Sequence, residues 1–256
     1  TAVHLRTPCN VTIPAIVLAR MLVPNRYAIY AGSWDAYSDE PTSYRFQRWL
    51  LRRVFGGVVH AYLAQPSSTI GTNLRAGFSP VLTEERLDEL AATARLERLA
   101  QQLPVAQRPI RLVSVGRFSP NKNQVTLIRA VRILQDSGVP VECHLIGDGS
   151  ELDTVKLEAT GLVGVTFTSH ASRDEVFTTM MWADLNILPS FREGFPKVLV
   201  EGMSVGALPV ASNTPMNRRM VATRGWTIDP SSPEDLAIQI HRAIAMTNQD
   251  WAERRA

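Results

Sequence analysis

Cysteine is nearly missing from this 256-residue chain: Cys9 and Cys143 are the only two. Two isolated thiols build neither a disulfide framework nor a metal cluster, and they fit a reducing compartment, read here as cytoplasm. Charge of one sign is also scarce. Twenty-seven basic residues face 24 acidic ones, for a formal net charge of +3. That excess is too small to argue for nucleic acid, but it suits an anionic ligand or a mild pull towards an acidic surface. There is no Asp-x-Asp triplet and no His/Cys cluster with ligand spacing, so no metal is expected. Long apolar runs are lacking too. IPAIVLARMLVP at 13–24 is interrupted by Arg20 and two prolines and is too short to span a bilayer. No secretory signal opens the chain. It starts at Thr1 in a strand-like AVHLRTP and stops in WAERRA, still helical in character, and both ends read as cuts in a longer protein.

What is present is an ordinary globular composition, 45% hydrophobic and 20% charged, long enough for one large or two modest domains. The second half alternates. Short apolar runs at 110–116, 141–147, 165–169, 185–190 and 208–212 read as buried strands, with a late strand in GWTID. Helical stretches separate them. The first runs to Gly138 with Val125, Ile128, Val131 and Leu134 near helical spacing, and later ones begin at Arg173, Pro196 and Ser232. Such alternation predicts an α/β fold, a doubly wound parallel sheet with helices on both faces. Ligands on such sheets bind beyond the carboxyl ends of the strands.

The first hundred residues are less regular. AVHL, RYAIYAG and VVHAYLA read as strands, with helices at 13–21 and 43–55 and a long polar helix in LTEERLDELAATARLERLAQQL. PVAQRP at 104–109 reads as the linker. The division expected is therefore 1–105, a partial Rossmann-like domain, and 106–256, a complete one. The first is shorter than the ~120 residues a whole nucleotide fold takes.

Two clusters carry chemistry. In REGFPKVLVEGMSVGALPV (192–210), Pro196 suits a helix start. Glu193 then precedes the helix, while Glu201 lies within it on the face of Val198 and Val205. A partly buried carboxylate needs donors, which the hydroxyls of a ribose or another polyol supply. The first-turn amides of Lys197 and Val198 make an anion site. The plainer reading makes Glu201 a helix-edge residue and Glu193 a loop charge. In SVGRFSPNKN (114–123), Arg117 and Lys122 follow the first strand of this half, and the two cations could neutralise a diphosphate without a metal. The plainer reading there is a solvated basic loop.

These motifs, with LIGDGSEL and SRDEVFTTMMWADLNILPSFREGFPKVLVEGMSVGALPVAS in order and spacing, resemble the carboxyl-terminal domain of GT-B glycosyltransferases, the retaining family four (group 1) above all. The resemblance covers 110–245 strongly and the first hundred residues weakly. It implies a GT-B fold and metal-independent transfer of a sugar, with retention, from a nucleotide-diphosphate sugar to a glycan, lipid-linked or small-molecule acceptor. It implies that Arg117 and Lys122, beside Gly116, grip the diphosphate, that Glu201 holds the ribose, and that Glu193 faces the transferred sugar. The backbone around Gly194, Phe195, Lys197 and Val198 would complete the cradle, with Ser169 and His170 near the base. The chain departs from the family where NTPMNRRMV replaces a glycine-rich turn and an acidic residue, where Ser169 replaces a common glycine, and where Lys197 replaces a common asparagine.

His60, His144 and His241 read as structural or surface residues. His4 lies on a strand of the acceptor half, where family members often carry an active-site histidine, and is a catalytic candidate on that ground. YRFQRWLLRRVF (44–55) shows a stripe of Phe46, Trp49, Leu50 and Val54 with Arg45, Arg48 and Arg52 off it. The plain reading is a core-facing helix, and the sharper one is peripheral contact with the anionic cytoplasmic face of a membrane. Three rival functions share the fold: a sugar-nucleotide epimerase, for which no set of extra carboxylates and histidines is evident; a phosphorylase, which should offer a lysine Schiff-base site and a much longer chain; and a non-catalytic nucleotide-sugar-binding homologue.

Overall fold

The computed structural model describes residues 1–34, 36, 40–62, 73–77, 82–100 and 107–255. They form two compact units: Thr1–Pro80 with Glu193–Phe195, and Val81–Arg192 with Pro196–Ala256.

The first unit is a four-stranded parallel sheet in the order β1 (Ala2–Thr7), β2 (Asn25–Ser33), β3 (Val58–Tyr62), β4 (Leu74–Ala76). Helices α1 (Thr12–Leu22) and α2 (Thr42–Arg53) pack on one of its faces. Alternate strand residues Ala28, Tyr30, Val59 and Ala61 meet Ile16, Ala19, Leu50, Leu51 and Phe55 of the helical layer. The buried face of α2 differs from the expected stripe. Gln47, Arg48, Leu50 and Leu51 are buried, whereas Phe46 and Trp49 point outward. Two polar side chains turn the helix. Gln47 accepts hydrogen bonds from the Cys9 amide and the Thr12 hydroxyl, and Arg48 pairs with the buried Glu40 carboxylate. Periodicity counts such residues as surface.

The second unit holds a six-stranded sheet in the order β10-β9-β8-β5-β6-β7. Its strands are β5 (Ile110–Val115), β6 (Val141–Ile146), β7 (Val165–Thr168), β8 (Leu185–Leu188), β9 (Leu208–Ser212) and β10 (Trp226–Ile228). Every neighbouring pair is parallel. Helices α3 (Glu84–Ala100), α4 (Gln124–Asp136), α5 (Leu152–Glu158), α6 (Arg173–Trp182), α7 (Lys197–Ser204), α8 (Pro215–Val221), α9 (Pro233–Ile244) and α10 (Asn248–Arg255) complete it. β5 shows why two layers form. Ile110 and Leu112 enter a core with Leu127, Ile128, Leu236 and Ile240 of α4 and α9. Val113 enters another with Leu90, Phe177 and Met180 of α3 and α6. The boundary expected at 105–106 and most of the linker lie outside the described residues. α3, expected in the amino-terminal part, packs with the second unit because Leu90 and Ala94 share that core.

Local signals set the helix starts. Ser172 and Glu175 form a reciprocal capping box at α6, and Thr214 and Ser232 cap α8 and α9, each followed by Pro. At the amino end of β8 the buried Asp184 accepts two 2.8 Å bonds from Arg108 and one of 3.1 Å from the Arg111 amide, with Arg255 at 3.4 Å. That carboxylate joins the approach to β5, the start of β8 and the end of α10. Cys143 is buried in β6, where desolvation pushes its thiol up to about 12, whereas Cys9 is exposed.

Candidate functional site

The chain runs outward through β5, β6 and β7, then returns to place β8 on the other side of β5 and runs outward through β9 and β10. The carboxyl ends of β5 and β8 are thus the switch point of a doubly wound sheet, where connections diverge and leave a crevice. Both candidate clusters lead away from these two strands.

After β5, residues 116–123 lie flat against the turn after β6. The Gly116 amide donates to the Ile146 carbonyl, Phe118 to Asp148, and Glu151 to the Phe118 carbonyl. This approach requires the glycines of GDG. A Cβ on Gly147 or Gly149 would stand 2.1 Å from the carbonyl oxygen of Gly116 or Phe118. Phe118 is buried and anchors the loop, leaving Arg117 exposed beside it. Lys122 folds back along the same turn, its Cε 3.9 Å from where a Gly116 Cβ would stand. Gly116, Arg117 and Lys122 therefore sit on one constrained loop.

That loop is tied to the segment after β8. The Phe191 amide donates to the Asn121 carbonyl at 2.8 Å, and Asn121 Nδ2 donates to the Arg192 carbonyl at 3.0 Å. Asn123 has φ 54° and ψ 40°, a left-handed conformation that Asn tolerates better than most residues. Its Nδ2 donates to the carbonyls of Pro189 and Pro230, gathering the loops after β5, β8 and β10. Sequence reading passed over Asn121 and Asn123; the signal available was an Asn immediately before a helical run. It also passed over the fully buried Ser190, Ser212 and Asn217. There Asn217 Nδ2 donates to the Ser212 carbonyl and hydroxyl, and the Ser212 hydroxyl donates to the Ser190 carbonyl.

α7 starts at Lys197 with Pro196 as its N-cap, one residue later than expected, and Pro196 offers no side-chain acceptor to the first-turn amides. Its amides give that end partial positive charge. Val198 also offers its carbonyl to the buried Asn186 side chain at 2.6 Å, which locks α7 to β8. Glu201 is half-buried, its side chain 21% exposed, and Arg173 at the start of α6 lies 3.5 Å away. Burial raises the Glu201 pKa, while Arg173 and Lys197 pull it back down. This carboxylate is thus partly desolvated and only weakly compensated.

Ser169 and His170 are exposed just past β7, the edge strand two places from β5, on the same carboxyl edge of the sheet. Glu193, Gly194 and Phe195 group with the first unit. His4 is exposed on β1, its ring 4.9 Å from that of Tyr27. His144 donates to or accepts from the Thr168 hydroxyl and stacks edge-on with Trp182, and burial lowers its pKa; that is a structural role. Among the described residues, no group of three or more His, Cys, Asp or Glu is placed to hold a metal ion. None of their helices is long and apolar enough to cross a membrane.

Residues 97–255, which include the whole six-stranded sheet, match the family described as glycosyl transferases group 1. The chain belongs to that family. Among curated relatives, the phosphatidyl-myo-inositol mannosyltransferase of Propionibacterium freudenreichii is 24% identical over 98% of this chain and 66% of its own length. The amylovoran biosynthesis glycosyltransferase of Erwinia amylovora is 32% identical over 41% of this chain and 28% of its own. The chain thus spans only part of the length of these relatives. Among solved structures, sucrose-phosphate synthase from Thermosynechococcus elongatus superposes with a TM-score of 0.71 at 20% identity, covering 99% of this chain and 66% of that one. An α,α-trehalose-phosphate synthase (UDP-forming) from Burkholderia xenovorans gives 0.71 at 16% identity, covering 99% and 68%. At these identities the likeness shows the fold: α/β, of the GT-B glycosyltransferase type. Within NTPMNRRMV, where the family resemblance implies a glycine-rich turn and an acidic residue, Pro215–Val221 forms α8, with Arg218 and Arg219 exposed.

Proposed function

We propose that the chain carries the donor site of a glycosyltransferase, which moves a sugar from a nucleotide-diphosphate sugar to a glycan, lipid-linked or small-molecule acceptor. The observation that carries this reading is the juxtaposition at the switch point. A loop bearing two cations, pinned by Asn121 and Asn123, is hydrogen-bonded to the segment that leads into the start of α7, whose N-cap is a proline. Arg117 and Lys122 would hold the diphosphate against Gly116 and the first-turn amides of α7, at Lys197 and Val198. Glu201 would accept from the ribose hydroxyls, and Ser169 and His170 would border the base. By resemblance to the family, Glu193 with Gly194 and Phe195 would face the transferred sugar, and His4 would serve the acceptor side.

In this reading a bond forms between the anomeric carbon and an acceptor hydroxyl oxygen as the bond to the diphosphate oxygen breaks; the electron pair leaves with the diphosphate, where negative charge grows, and the acceptor's proton passes to the departing diphosphate. Fixed cations and helix amides stabilise that charge, and so favour the transition state over the bound ground state. They supply the counter-charge without a divalent ion, and the product keeps the anomeric configuration of the donor. A second reading, donor binding without transfer, draws support from Arg218 and Arg219 standing where an acidic residue is usual. Nucleoside diphosphate release from a panel of nucleotide sugars, with and without chelator, tests both, and NMR of the product anomer tests retention. Turnover that survives chelation supports the proposal. Tight donor binding with no turnover against any acceptor supports the second reading, and absence of binding sinks both.

A further inference from the structure

We propose that Ser212, at the end of β9, and Asn217, on α8, are positioning residues for the diphosphate-binding loop, a role that rests on the donor-site reading. Neither touches the ligand. They act through the segment that follows β8.

The loop bearing Arg117 and Lys122 is bracketed. On one side it lies against the turn after β6, in the close approach that Gly147 and Gly149 permit. On the other it is tied to residues 189–192. Asn123 Nδ2 donates to the Pro189 carbonyl, the Phe191 amide donates to the Asn121 carbonyl, and Asn121 Nδ2 donates to the Arg192 carbonyl. The position of 189–192 therefore decides where one wall of the loop stands. Ser190 lies in the middle of that segment, and its carbonyl accepts from the Ser212 hydroxyl instead.

The direction of each hydrogen bond in this network is fixed. The Ser212 carbonyl can only accept, so the Asn217 group 3.0 Å from it is the NH2. The same NH2 stands 3.0 Å from the Ser212 hydroxyl oxygen, which accepts from it. The hydroxyl has one proton, and that proton goes to the Ser190 carbonyl. Asn217 thus orients Ser212, and Ser212 holds the backbone at 190. All three residues are fully buried. Stability alone does not call for such a network. Asn217 Oδ1 and Ser190 Oγ are buried with no hydrogen-bond partner among the described residues, a penalty that apolar side chains of similar size would avoid. What the polar groups supply is directed contact, which fixes the segment after β8 against β9 and α8.

The test is calorimetry with the best bound of uridine, guanosine and adenosine diphosphate, and with its own nucleoside. The native chain is compared with Ser212→Ala, Arg117→Ala and the double variant, at a temperature where all are folded. Ser212→Ala should weaken the diphosphate about three- to tenfold and leave the nucleoside unchanged. In the Arg117→Ala background its effect should shrink to about twofold, because a displaced loop matters through the groups it carries. Ile240→Val, in the core between α4 and α9, also lowers stability and should leave both affinities unchanged. Hydrogen exchange without ligand should be faster at the Phe191 amide in Ser212→Ala. Should that variant not fold, the native chain decides: the diphosphate should slow exchange across 212–217 as well as 116–123. Unchanged diphosphate affinity in folded Ser212→Ala, equal loss for the nucleoside, additivity with Arg117→Ala, an unaltered Phe191 amide, or exchange at 212–217 indifferent to the ligand would each overturn the positioning role and leave the donor site standing. A native chain that binds none of the diphosphates, or an Arg117→Ala variant that binds them as well as the native chain, would overturn both.

Discussion

Replacing Glu201 by Gln separates a ligand-binding carboxylate from a structural one. The side chain is 21% exposed and its Arg173 partner stands 3.5 Å away, beyond the 2.7–2.9 Å typical of charge-assisted bonds. A pair of that kind contributes about 0–1 kcal/mol. Burial outweighs Arg173 and Lys197, so the folded pKa lies above the ordinary carboxylate value. The sign follows: the protonated form is favoured in the folded state. Wild-type stability relative to Glu201→Gln is therefore greatest below the ordinary pKa and is lost as pH rises through the raised folded value. At neutral pH the variant should be as stable as the wild type or slightly more so, within about 1 kcal/mol. Binding should behave oppositely. A ribose hydroxyl donating to an amide oxygen instead of a carboxylate loses about 1–3 kcal/mol, or roughly 5- to 150-fold in Kd. Calorimetry with a nucleoside diphosphate, paired with thermal unfolding across pH 4–8, reads both quantities. An unchanged affinity together with a fall in unfolding temperature would refute the ribose assignment and make Glu201 a structural residue.

Glu193→Gln should spare nucleoside diphosphate affinity and reduce turnover of the nucleotide sugar, which calorimetry and a release assay distinguish; equal loss of both would end the divided roles of the two carboxylates. Asp184→Ala should cost about 3–5 kcal/mol by denaturant unfolding, because it strands Arg108 and Arg255 at the foot of the sheet, and a loss under about 1 kcal/mol would show that the tie is not a stability element. Gly202→Ala places a Cβ 2.2 Å from Asn186 Nδ2, so a loss of about 1–3 kcal/mol is expected. Most of that loss should vanish in an Asn186→Ala background, and an additive double-mutant cycle would contradict the contact.

The sequence made the six-stranded sheet legible because its central strands β5, β8 and β9 are short, apolar and buried on both faces, and because Ser172, Ser232 and Gly138 mark helix ends. The three-residue β4 carries too little pattern to detect. α8 was read as a departed turn although Thr214 and Pro215 signal a cap and first position. α2 was rotated by one position because Gln47 and Arg48 are buried through Cys9, Thr12 and Glu40, partners that no local period reveals. The same blindness covers Asp184, a buried charge whose meaning depends on Arg108 and Arg255 across the fold. At the candidate site, residue types and their place after β5 and β8 were legible. The asparagines that hold those loops together were not, because their function lies in long-range backbone carbonyls.

The central claim is that the loop after β5 grips a diphosphate. Calorimetric titration of nucleoside, monophosphate and diphosphate into the wild type, Arg117→Ala and Lys122→Ala tests it most directly. The wild type should gain affinity with each phosphate, and each variant should lose about 1.5–3 kcal/mol for the diphosphate while the bare nucleoside is little changed. Diphosphate affinity unchanged in both folded variants would contradict the account.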